Sequence, residues 1–117
     1  MTSFGAFVRS RREQLRSNDR TYSVRQLASR LGVEPAYLSK IERDQVPPPS
    51  GEMITRLANC LGEDRDVLLA LGGKVSPDLL DVIRKRPQLF ADLLRSLKAA
   101  PDRAILRVVR EVSDGEW

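Results

Sequence analysis

The sequence contains no histidine and only one cysteine, Cys60. Without imidazole there is no His-based acid–base chemistry, no nucleophile–His pair and no Cys/His zinc site. A lone cysteine rules out an intrachain disulfide, and the context RLANCLG reads as a small buried core position. Aromatic residues make up only 5% of the chain, so Leu, Ile, Val and Ala must supply most of the core. No run of about 18 apolar residues occurs, so no membrane span is expected. The start, MTSFGAFVRSRREQ, lacks the apolar stretch of a signal peptide, and cytoplasmic residence is the expectation. Walker loops, GxGxxG and HExxH are also missing. An enzyme would have to work with carboxylates, lysine or tyrosine alone. No catalytic residue, cofactor or metal ligand is therefore assigned.

Charge is plentiful but uneven. The 117 residues carry a formal net charge of +4. Nine Arg/Lys face five acids up to Asp44, and the remainder holds eleven of each sign. All the excess positive charge thus lies in the first part of the chain, where a polyanion would be drawn. Charge alone does not separate that reading from a merely solvated basic surface.

Hydrophobic spacing predicts helices throughout and no strand. Phe4, Phe7, Val8 and Leu15 mark a first helix over about 4–17, followed by the polar connector SNDRTY. Ser23 can cap a second helix, 24–31, with Gln26 placed for a capping box. Gly32 ends it by supplying positive φ. A third helix, 34–43, opens with Pro35, whose missing N–H costs nothing in a first turn. DQVPPPS is a stiff link, since residues before proline avoid the α region. Ser50 caps a fourth helix, 51–61, ending at Gly62; a fifth, 64–71, stops at Gly72-Gly73. Then Ser76-Pro77-Asp78 reads as an N-cap with proline and an acid behind it. Three amphipathic helices follow at 77–85, 88–98 and 101–112, and SDGEW is expected to be loose.

The stretch LASRLGVEPAYLSKIE poses the sharpest question, because two helices of barely two turns meet at one glycine. Helices that short are marginal alone and must lean on each other. Leu27, Ala28, Leu31, Val33, Leu38 and Ile41, with Gly32 at the turn, fall at the spacing of a helix-turn-helix. Ala28 has to be small because the two helices cross there. A plain helical hairpin would not need so short a second helix with a polar outer side.

The segments SVRQLASRLGVEPAYLSKIERD and PPPSGEMITRLANCLGEDRDVLL resemble the XRE family of bacterial and phage regulators. Residues 4–72 are similar to the lambda-repressor DNA-binding domain. The resemblance implies an all-α fold, a five-helix DNA-binding domain (1–73) followed by a small helical extension (74–117). It also implies a homodimer on double-stranded DNA at the nucleoid, each copy placing its third helix in a major groove of a pseudo-palindromic operator. Repression is the expected sign of regulation.

Carried over position by position, the resemblance makes Pro35, Ala36, Tyr37 and Lys40 the candidate base contacts. Lysine can donate to guanine O6/N7, and alanine can meet a thymine methyl. Tyr37 would reach a base edge or a phosphate, and Lys40 has a phosphate contact or bare surface as alternatives. Ser23, Arg25 and Arg43 are the candidate phosphate contacts, with capping alone the alternative for Ser23 and solvated surface for the arginines. Arg12 and Glu42 occupy the places of a structural ion pair. The chain departs from the family at Val24, where glutamine is usual, and at Asp44, where glycine is usual. The turn after the third helix is accordingly expected to be differently shaped. The alternative function is an antitoxin-type or adaptor protein whose residues 74–117 hold a toxin, protease or sensor partner. Self-association and packing on the first domain stay open for that segment.

Overall fold

The computed structural model describes residues 2–117, and no strand occurs among them. Eight helices form: α1 (Phe4–Arg16), α2 (Val24–Leu31), α3 (Pro35–Glu42), α4 (Gly51–Leu61), α5 (Arg65–Leu71), α6 (Pro77–Lys85), α7 (Pro87–Leu97) and α8 (Asp102–Asp114). The chain divides into two compact units, Met1–Ser76 and Pro77–Trp117. The first holds α1 to α5 in an all-α, lambda-repressor-like arrangement.

Local chemistry sets most boundaries. The Ser23 hydroxyl accepts from the Gln26 amide at 3.2 Å, and Gly32 closes α2 at φ 71°. The capping box stays half made, because the Ser23 N–H donates to the Arg20 carbonyl. Pro35 opens α3 with no side-chain cap at Glu34. The Ser50 hydroxyl accepts from the Met53 amide and Gly62 ends α4 at φ 67°. Asp64 caps α5 by accepting from the amides of Asp66 and Val67.

The core of the first unit is aliphatic, as the shortage of aromatics requires. Leu27, Leu38, Ile54, Leu57, Leu61, Leu68 and Val8 are its most fully buried large side chains. α3 packs on both α1 and α2, while α4 supports α1, α2 and α5. Phe4 closes one end, and Ala28 is buried with no accessible surface. At roughly 25 cal/mol per Å² of apolar surface, such burial is what keeps two-turn helices folded.

The structure departs from the sequence expectations at several places. The connector 17–22 contains a 3-10 turn, Arg20–Tyr22, capped by Asp19, whose Oδ1 accepts from the Thr21 amide and hydroxyl at 2.9 and 2.7 Å. The hydroxyl of Thr21, then its amide, hold the Asp19 carboxyl below its ordinary value, with Arg30 adding to the effect. That contribution is therefore present at neutral pH and lost only when pH falls below the usual carboxylate range. Tyr22 packs against the core, donates its hydroxyl to the Cys60 carbonyl at 2.9 Å, and lies 4.5 Å beneath the Arg30 guanidinium. Cys60 is half-buried at the core's edge rather than inside it. Ser76 does not act as a cap. Its hydroxyl is buried and makes no hydrogen bond, while Pro77 and Asp78 begin α6 behind it. α8 runs on to Asp114, so the loose tail is shorter than expected.

At the turn after α3, Asp44 adopts φ 57°, the one positive value among described non-glycine residues. That conformation is open to glycine as well, so the departure at this position lies in the side chain rather than in a backbone that glycine could not adopt. The turn brings the end of α3 onto the start of α1, where Gly5 is buried. A Cβ added at Gly5 would collide with the Ile41 carbonyl oxygen and lie 2.8 Å from that of Glu42. Only glycine permits this approach. Gly5→Ala is expected to cost about 1–3 kcal/mol, the usual penalty of forced overpacking. Urea unfolding monitored by circular dichroism measures it; an unchanged midpoint would show that the two backbones separate without strain.

The second unit is built from α6, α7 and α8, and none of its helices contains a buried residue. Leu89, Leu94, Leu106, Val109 and Val112 are among its large exposed apolar side chains. No described helix is long and apolar enough to cross a membrane.

Candidate nucleic-acid interface

α3 is divided sharply between holding and presenting. Leu38, Ile41 and Glu42 are buried, whereas Pro35, Ala36, Lys40 and Arg43 are exposed and Tyr37 keeps 37% of its surface. Positions three and four apart share a helical face. Ala36, Tyr37, Lys40 and Arg43 therefore line one outward stripe, with Pro35 at its tip. The four candidate base contacts all lie on the accessible side of α3.

The inward side is fixed by more than apolar packing. Arg12 of α1 grips Glu42 with two bonds, Nε to Oε2 at 2.7 Å and Nη2 to Oε1 at 2.9 Å. Both side chains are only 4% exposed. A third bond runs from Arg12 Nη1 to the Tyr22 carbonyl at 3.2 Å, which joins the 3-10 turn to the same bracket. The Glu42 hydrogen bond raises the Arg12 pKa further above its already high value, outweighing the burial that lowers it. The charged form of Arg12 is consequently favoured. The planar fork of arginine suits this two-pronged geometry, and the third bond leaves little of the buried cation unpaired.

Beside this bracket lies a shallow cleft of about 270 Å³ lined by Arg9, Arg12, Val24, Ser39, Glu42 and Arg43. Three elements meet there: α1, the first turn of α2, and the last turn of α3. Arg43 lies along its own helix, with Nε donating to the Ser39 carbonyl at 3.2 Å. Arg9 is exposed and pairs with Glu13 at 3.1 Å. A cleft with two exposed guanidiniums over a neutral internal pair can accept an anion. Of the candidate phosphate contacts, only Arg43 lines it. Ser23 is half-buried and spends its oxygen on capping, and Arg25 is exposed on α2 without lining the cleft. Arg9 was not singled out from the sequence. Its position one turn before Arg12 on α1 was the available signal. Among the described residues no cluster of His, Cys, Asp or Glu is placed to hold a metal.

Comparison with known proteins covers the same region. Residues 3–71 match the family described as a helix-turn-helix domain. The chain is also similar to proteins from two strains of Mycobacterium tuberculosis, each named an uncharacterized HTH-type transcriptional regulator. Both are 35% identical to it over 80 residues, which is 68% of this chain and 53% of the relative. The chain thus spans about half the length of these curated relatives. No solved structure gives a significant match.

Removing one member of the bracket exposes the weight it carries. Glu42→Gln leaves Arg12 charged and buried without a counter-charge, and a stability loss of about 3–5 kcal/mol is expected. Replacing both residues together with leucine and methionine should recover most of that loss. Urea midpoints of the two variants decide it; a single variant as stable as the native chain would mean that water reaches Arg12.

Proposed function

The chain belongs to the helix-turn-helix domain family, and we propose on that footing that it is a sequence-specific DNA-binding transcriptional regulator. We take it to be of the XRE type, a repressor working at the nucleoid in the cytoplasm. Residues 1–73 form the DNA-binding domain in this reading and 74–117 an extension. Two copies bind a pseudo-palindrome with half-sites about one helical turn apart, each laying α3 in a major groove. The observation that carries the proposal is the outward stripe of Ala36, Tyr37 and Lys40 on a helix whose other side is wholly occupied by bracing.

The roles follow from chemistry. Lys40 donates to a guanine edge and Ala36 touches a thymine methyl. Tyr37 offers a hydroxyl to a base edge or a phosphate. Pro35 has no N–H and stiffens the helix tip. Arg43 and Arg9 draw a phosphate toward the cleft, while Ser23 and Arg25 serve the backbone at the start of α2.

A second reading is supported by the uncovered apolar faces of α6, α7 and α8. In it, the extension binds a toxin, protease or sensor partner, as in an antitoxin or adaptor. Light scattering of the full chain against a fragment of residues 1–73 separates the two. A dimer lost only in the fragment favours self-association through the extension, and a full chain that stays monomeric at all micromolar concentrations favours a foreign partner.

Selection of bound sequences from a random duplex pool tests the main reading. Lys40→Ala should relax preference at one base pair, costing about 1–3 kcal/mol there. Arg43→Ala should weaken all sequences equally and lower the salt slope by about 0.9. Equal affinity for the best selected sequence and for random duplex would refute sequence-specific regulation.

A further inference from the structure

The end of α3 is fastened to α1 at two places, and only one of them is the Arg12–Glu42 pair. The other is made by Asp44. Its Oδ1 accepts from the Gly5 amide at 3.0 Å, and its Oδ2 accepts from the Ser3 hydroxyl at 2.6 Å. Ser3 is the N-cap of α1 and at the same time accepts from the Ala6 amide at 3.1 Å. A carboxylate from beyond α3 therefore completes the cap of α1, where unpaired amides and the helix dipole favour a negative charge.

We propose that Asp44 is a positioning residue for the reading helix, setting the tilt of α3 through its hold on the first turn of α1. The inference rests on the DNA-binding reading above. Gly5 and Arg12 are seven residues apart on α1, about 10 Å along its axis. Two ties at that separation fix an orientation, whereas the Arg12 tie alone would act as a pivot. α3 is eight residues long, or about 12 Å, so a 10° swing about Glu42 moves its tip by about 2 Å. Recognition geometry tolerates about 0.5 Å. The displaced tip is the one bearing Pro35, Ala36 and Tyr37.

Two further observations fit this role. Asp44 holds φ 57°, a conformation that aspartate tolerates better than most residues and glycine adopts freely. Glycine would keep the turn but lose the tie. Gly5 allows the Ile41 and Glu42 carbonyls to reach the start of α1 so closely that no side chain fits between them. The contact is thus built from both sides.

The test compares Asp44→Gly, which preserves the backbone turn, with Asp44→Asn, which keeps an acceptor for the Gly5 amide. Affinity for a selected operator and for random duplex is measured well below the melting temperature. Asp44→Gly is expected to lose about tenfold on the operator, the size of one good base contact, with random duplex unchanged. Asp44→Asn should recover most of it. Without DNA, the amide resonances of Ala36, Tyr37 and Lys40 should shift in Asp44→Gly. An unchanged operator-to-random ratio, or resonance changes confined to residues 2–6 and 43–46, would reduce Asp44 to a cap for α1 and overturn the proposal. If the native chain itself fails to discriminate, the DNA reading falls instead, and the resonances of α3 still decide whether Asp44 positions it.

Discussion

A helix of eight residues does not persist in water by itself, and α3 has only eight. Nucleation is unfavourable, and isolated helices shorter than about 12–15 residues are marginal even in good sequences. Everything about the first unit follows from keeping α3 formed while leaving half of it uncovered. Leu38 and Ile41 supply apolar contact, and the Arg12–Glu42 pair fixes where the end of α3 attaches to α1. The Tyr22 carbonyl then shares Arg12, so the 3-10 turn before α2 is part of the same support.

An ion pair is an expensive way to hold a helix. Desolvation of both charges can cancel the attraction between them, and apolar replacements of equal volume often do as well. What a forked pair adds is geometric specificity. A Leu–Leu contact leaves a helix free to slide at little cost, whereas two bonds between planar groups fix the point at which Glu42 meets α1. The pair also neutralises itself, which leaves the positive field of the first 44 residues to arginines that face solvent. Two cations on the same helix are thus placed differently: Arg12 is buried against Glu42, and Arg9 one turn earlier is exposed beside Glu13.

Local signals made most of the helical architecture legible in the sequence. Ser23, Gly32, Ser50 and Gly62 act on groups within four residues of themselves, and the boundaries they imply fall where the structure has them. The polar outer side of α3 was legible as well, while the particular contact candidates on it came from the family resemblance. What stayed hidden depends on partners far along the chain. Tyr22 finds the carbonyl of Cys60, 38 positions away, and Asp44 finds Ser3 and Gly5 at 41 and 39. No window of periodicity contains both ends of such contacts. Ser76 shows the opposite failure. Its sequence context is that of a cap, yet its hydroxyl is buried and makes no hydrogen bond. The extra residues of α8 carry no apolar spacing and so gave no signal.

The separation between holding and presenting also leaves the outward residues of α3 free of the demands of the fold. Pro35, Ala36, Tyr37 and Lys40 contribute nothing to the core, so their chemistry is free to vary with whatever surface they meet. Pro35 even suits the first turn of α3, where its fixed φ helps and no donor is lost. Val24 half-packs against the core instead of offering an amide, so in the proposed reading a phosphate is met by neighbouring arginines. Asp44 differs in kind from these. A change there alters the frame rather than the face, because its carboxylate adds a second tie between two helices that glycine would leave to the Arg12–Glu42 pair and to packing. Substitution on the stripe should therefore change what is bound, and substitution at the frame should change how well anything is bound specifically.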